Sequence, residues 1–151
     1  MILNDHSRFY SSSKLLDFLQ PTCSPVSDPF VWHQTGSNEA IKFYAYKTWL
    51  PGDKVTQVLS SATYEAYTHR GELLISEPLQ FRTDNVQLVL TPQEGMTWRA
   101  WSTVVWGIRM VLHDNEMYFE WNFTVVSREL GEIGYGTLTD RMGDSVKSNN
   151  R

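Results

Sequence analysis

From Ile41 to Thr139 apolar and polar residues alternate in short runs, and this period of two constrains the chain more than any other feature. Alternation puts successive side chains on opposite faces of a pleated strand, so the pattern requires a sheet with one covered face. The runs IKFYAYKTWL, VTQVLSS, TYEAYTHRGELLIS, NVQLVLT, MTWRAWSTVVWGIRMVL, EMYFEWNFTVVS and IGYGTLT read as six or seven strands, separated by PGD, TPQEG, HDNE and LGE. Barrels and sandwiches share this pattern. The expected fold is therefore mainly β: a single-domain antiparallel β-sandwich or barrel, with a short N-terminal helix.

That helix is read over Ser11 to Gln20, where Leu15, Leu16, Phe18 and Leu19 follow serines able to cap, and Pro21 stops continuation. Three prolines between residues 21 and 40 disfavour a central strand and mark a connector, pinned to the core by Phe30, Val31 and Trp32. The expected division is helix and connector over 1–40, a β domain over 41–140 and a flexible tail over 141–151. No basic and apolar leader opens the sequence, so secretion through a signal peptide is not expected.

Asp114 and Asn115 tolerate the positive φ of a tight turn, which suggests a hairpin. In its register His113 faces Glu116, Leu112 faces Met117, Met110 faces Phe119, Ile108 faces Trp121 and Trp106 faces Phe123 on the core side. Val111 with Tyr118, Arg109 with Glu120, Gly107 with Asn122 and Val105 with Thr124 then pair on the other side, with opposite charges together.

The chemistry-bearing motifs are few. There is no P-loop, dinucleotide fingerprint, nucleophile elbow or HExxH sequence, and the histidines His6, His33, His69 and His113 are scattered. A single cysteine, Cys23, makes no intramolecular disulfide. No metal, cofactor or catalytic residue is expected. The alternative is a small β-barrel around an apolar ligand, such as a cofactor-free isomerase or cyclase with Glu120 as base and Tyr118 as donor. The ordinary reading of Glu120 is a cross-strand ion pair with Arg109.

A net charge of −4 excludes a globally basic nucleic-acid clamp, although it leaves room for a local basic face. Lys42, Lys47, Arg99 and Arg109 are the candidates for that face, with Trp98, Trp101 and Trp106 near them in sequence; basic charge among aromatics suits anionic lipid or single-stranded RNA. The ordinary alternative is solvated strand positions and core tryptophans. With 20 aromatics among 151 residues, several must remain at the surface, which favours a homo-oligomer.

Three collinear stretches, KTWLPG (Lys47 to Gly52), LLISEPLQF (Leu73 to Phe81) and FTVVSRELGEIGYGTL (Phe123 to Leu138), resemble the matrix proteins of bornaviruses and related non-segmented negative-strand RNA viruses. The third is the most specific, through the spacing of Phe123, Val125, Ser127, Leu130, Ile133, Gly134, Gly136 and Leu138. The resemblance implies a non-enzymatic structural protein that self-assembles beneath a virion envelope, bridges the membrane inner leaflet to the nucleocapsid or single-stranded RNA, and promotes budding. It also implies a location in the virion, the host cytoplasm and the peripheral membrane.

Overall fold

A computed structural model describes residues 27–141. The expected helix at 11–20 and most of the expected tail lie outside the described residues. Six strands form one antiparallel sheet: β1 (Phe30–His33), β2 (Glu39–Tyr44), β3 (Leu79–Arg82), β4 (Val86–Pro92), β5 (Trp121–Ser127) and β6 (Gly131–Asp140). Their spatial order is β1-β2-β5-β6-β4-β3. Helix α1 (Gly52–Tyr67) connects β2 to β3, and helix α2 (Trp98–Asp114) connects β4 to β5.

The alternation in β2, β4, β5 and β6 does what a period of two requires. Ile41, Phe43, Val86, Leu88, Leu90, Trp121, Phe123, Val125 and Leu138 are buried on one face. The register aligns them into continuous rows, such as Phe43–Phe123–Gly136–Leu90. The fold is thus β-rich, antiparallel and a single domain, as the alternation implies. Its second layer is helical, in place of a second sheet or a closed barrel: α1 and α2 pack together over the buried face. The sheet also begins before residue 41, because Phe30–His33 inside the proline-rich connector forms an edge strand. Phe30 and Trp32 do reach the core, whereas Val31 is exposed.

Three runs read as strands fall in helices: VTQVLSS and the start of TYEAYTHRGELLIS in α1, and MTWRAWSTVVWGIRMVL in α2. In 98–112 apolar residues are so dense that both periods fit. The buried set Trp98, Trp101, Val104, Val105, Ile108, Val111 and Leu112 recurs at three- and four-residue steps, which is one helical stripe. Thr97 caps it by accepting from the Ala100 N–H at 3.1 Å, a contact worth about 1 kcal/mol. In α1 the buried residues Val55, Val58, Leu59, Ala62 and Ala66 follow the same spacing. Pro51 precedes the helix and its carbonyl accepts from Val55 N–H at 3.0 Å. Asp53 in the first turn complements the helix dipole.

The hairpin expected at Asp114 and Asn115 is therefore replaced by the C-terminal end of α2, with Asn115 as the cap. Of its pairs only the two nearest the turn meet, and as helix-closing bonds: Glu116 N–H donates to the His113 carbonyl at 3.2 Å and Met117 N–H to the Leu112 carbonyl at 2.9 Å. β5 pairs with β2 and β6, so Trp121 lies opposite Leu138 and Phe123 lies between Phe43 and Gly136.

Candidate interaction surface

Helices α1 and α2 run antiparallel, since Gly52 and Asp53 share a cleft with His113 while Tyr67 shares one with Ser102. Their outward rows face each other: Thr56, Thr63 and Tyr67 on α1; Ser102, Trp106, Arg109 and His113 on α2. The α2 row steps by three or four residues and the α1 row by seven and four, so each lies along one side of its helix. Two clefts open between the rows. One, of about 540 Å3, extends from Gly52 and Tyr118 past Leu59 and Met110 to Trp106 and Arg109. The other, of about 320 Å3, continues past Trp106 and Arg109 to Thr63, Tyr67, Ser102 and Gln34. Trp106 and Arg109 belong to both and form the waist of a single groove.

Trp106 is 44% exposed and Tyr67 77% exposed. Arg109 is half-buried, and its Nη2 is 3.5 Å from the Thr63 hydroxyl. No carboxylate of the described residues forms an ion pair with it. At the far end the His113 Nδ1 lies 3.2 Å from the Tyr118 hydroxyl. The Tyr118 ring lies against Gly52, where an added Cβ would stand 3.4 Å from it. The groove thus combines exposed aromatic area, a guanidinium without a carboxylate partner among the described residues and a border of hydroxyls. It can bury apolar surface and hydrogen-bond its rim. A third depression, of about 690 Å3, lies between Tyr64 on α1 and Phe81 on β3.

The four expected basic-face residues do not converge. Lys42 points away from the helices on the outer face of the sheet, in a row with Val31, Thr124 and Tyr135. Lys47 is exposed in the loop after β2, where its N–H donates to the Glu120 carbonyl at 3.1 Å. Arg99 is exposed in the first turn of α2 beside Gly71. It lies ten residues before Arg109, or about 15 Å along the helix axis. Only Arg109 lines the groove. Of the tryptophans proposed near them, Trp98 and Trp101 are core residues; Trp106, assigned to the core by the hairpin register, is the exposed one.

The expected Arg109–Glu120 pair is absent because Arg109 sits on a helix. Glu120 instead holds three segments together. Its Oε2 accepts from the Thr48 hydroxyl at 2.9 Å, and its Oε1 accepts from the Asp140 backbone N–H at 2.8 Å. Glu120 lines none of the three clefts, whereas Tyr118 lines the largest part of the groove. Base and donor of the ligand-barrel alternative therefore share none of these three clefts.

Among the described residues no three His, Cys, Asp or Glu side chains converge as a metal site. His33 meets the Ser37 carbonyl at 3.1 Å, and His69 stacks on Trp98 with ring centroids 3.7 Å apart. No described helix is long and apolar enough to cross a membrane. The chain matches no protein-family model, no curated protein and no solved structure.

Proposed function

We propose that the protein is a non-enzymatic structural protein that self-associates through the groove between α1 and α2. Its matrix-type role, beneath a viral envelope and between membrane and nucleocapsid, rests on the resemblance carried by Phe123 to Leu138. The observation behind the self-association is the waist of the groove, where Trp106 and Arg109 stand beside Tyr67. Trp, Tyr and Arg are the residue types on which binding energy concentrates when water is excluded around them. The space between sheet and helices is filled by large side chains, among them Trp32, Trp121 and Phe123 from the sheet and Trp101 from α2. The aromatic area that can act on partners is therefore on the outside.

Light scattering at micromolar concentration tests this reading. The wild-type chain should give a mass above 17.5 kDa that falls on dilution. Trp106→Ser should weaken association at least about 30-fold, corresponding to the ~2 kcal/mol or more lost at a hot spot. A wild-type mass of 17.5 kDa at every concentration would remove self-association. Sedimentation with phosphatidylserine vesicles tests membrane contact. Lys42 and Arg99 belong to opposite layers, so a flat bilayer meets one of them and not both. Loss of vesicle retention in Lys42→Glu or in Arg99→Glu, but not in both, identifies the layer; equal retention in both variants rules out either residue as the anchor.

A further inference from the structure

A second aromatic surface lies where the described chain begins. Six rings follow one another from the first strand to the exterior. Phe30 meets Phe43 with centroids 6.3 Å apart, Phe43 meets Trp121 at 5.8 Å, Trp121 meets Tyr46 at 5.4 Å, Tyr46 meets Phe119 at 5.6 Å, and Phe119 meets Trp49 at 4.0 Å. The inner members are buried; Tyr46 is 38% and Trp49 54% exposed. The core therefore continues into an aromatic shelf at the surface.

The described segment begins beside this shelf. Both carboxylate oxygens of Asp28 lie 3.1 Å from the Ala45 backbone N–H, and Ala45 holds a positive φ of 56° one residue before Tyr46. The preceding sequence carries one dense apolar run, Leu15, Leu16, Phe18 and Leu19, with Lys14 and Asp17 as its charges. Eight residues, or nine Cα steps, separate Leu19 from Asp28, and an extended chain of nine steps spans about 30 Å. Trp49 lies four residues beyond Ala45, within about 14 Å of the anchor by the same measure. A tether this short keeps the run at an effective concentration in the millimolar range.

We propose that the segment Ser11 to Gln20 packs in cis over the shelf formed by Tyr46 and Trp49, with Leu15, Leu16, Phe18 and Leu19 as the covering side chains. This does not rest on self-association through the helical groove, which lies on other residues.

Paramagnetic relaxation in the full-length chain tests it. A nitroxide is attached at Asp17→Cys in a Cys23→Ser background, and the indole N–H resonances are observed, with Trp49 assigned through Trp49→Phe. The Trp49 signal should fall below half its diamagnetic intensity, with the Trp106 signal largely retained. In an equimolar mixture of spin-labelled unenriched chain with unlabelled 15N chain, Trp49 should keep its intensity. Adding Leu16→Asp and Phe18→Asp should restore most of the lost Trp49 signal without changing the circular dichroism of the sheet. Three results would each overturn the proposal: an unaffected Trp49 in the labelled chain, broadening that appears in the mixture, or broadening that the two aspartates do not relieve. The second would assign the covering segment to another copy, and the third would mean that tethering alone explains the proximity.

Discussion

Trp121→Ala should lower the stability of the fold by ~3 to 5 kcal/mol, the range for truncating a fully buried large aromatic. Trp121 is about 1% exposed at the centre of the sheet. It lies opposite Leu138 and meets Phe43 edge-on, with Tyr46 at its other side. Phe43 is held in the β2–β5 register and Leu138 in the β5–β6 register, so neither can fill the vacated space without leaving its pairing. Since domains of this kind have ~5 to 15 kcal/mol in total, the variant should lose at least about a fifth of the stability of the fold. The conservative change is equally informative. The Trp121 indole N–H is buried and meets no acceptor among the described residues, an arrangement that costs roughly 1 to 3 kcal/mol. Trp121→Phe keeps most of the ring contact and removes that donor, so its loss should be under about 1 kcal/mol. Urea midpoints of the two variants check this, and equal losses would show that volume at this position is not what holds the sheet.

Gly136→Ala is the second large effect expected. Gly136 sits between Phe123 on β5 and Leu90 on β4. A Cβ built there would overlap both the Val89 carbonyl oxygen and the Phe123 ring. A ring can turn, but a carbonyl in a ladder cannot retreat without breaking the β4–β6 pairing. The cost should reach about 3 kcal/mol, the upper part of the usual overpacking range. A Thr137→Ala variant, one residue along on the outer face, is the control and should lose far less. Comparable urea midpoints for the two would mean that the strands separate to admit a methyl group at little cost. In the sequence, Gly134 and Gly136 look only like weak points of a strand, whereas in the sheet Gly136 is where the Phe123 ring crosses the neighbouring strand.

The strands were legible from alternation wherever one face of the sheet is buried and the other half-solvated, as in Val86–Pro92 and Trp121–Ser127. Alternation fails in Trp98–Asp114 for a definite reason. With Val104, Val105, Trp106 and Ile108 almost adjacent, apolar density satisfies a period of two as readily as 3.6, and β-branched valines add a misleading strand preference. The tighter signal was there in the row Ser102, Trp106, Arg109 and His113, polar apart from one tryptophan. Read as a helix, it places a large aromatic on the solvent side. The candidate groove was illegible without that step, because it exists only between two helices that the alternation hides. Lys42, Lys47 and Arg99 show the complementary failure: proximity in composition carries no information about which layer a side chain leaves.

The order of the strands also governs the time course of folding. Each of β1–β2, β3–β4 and β5–β6 joins strands that follow one another in the chain, and such hairpins form in roughly 1 to 10 μs. The seams between them are another matter. β2 meets β5 only after both helices and the β3–β4 hairpin have been bypassed, and β4 meets β6 across α2 and β5. Closing those long loops costs entropy before any contact compensates it, so folding should take milliseconds to seconds and be limited by the two seams. During synthesis the β1–β2 hairpin emerges first and must wait, with the β2 edge unpaired, until Trp121–Ser127 arrives to cover it. Pulsed hydrogen exchange during refolding should therefore protect the amides of β1 facing β2 before those of β2 facing β5, and simultaneous protection would mean that the hairpins have no separate existence. That waiting edge, apolar at Ile41 and Phe43, is the point at which a nascent chain of this sequence is most open to pairing with another copy.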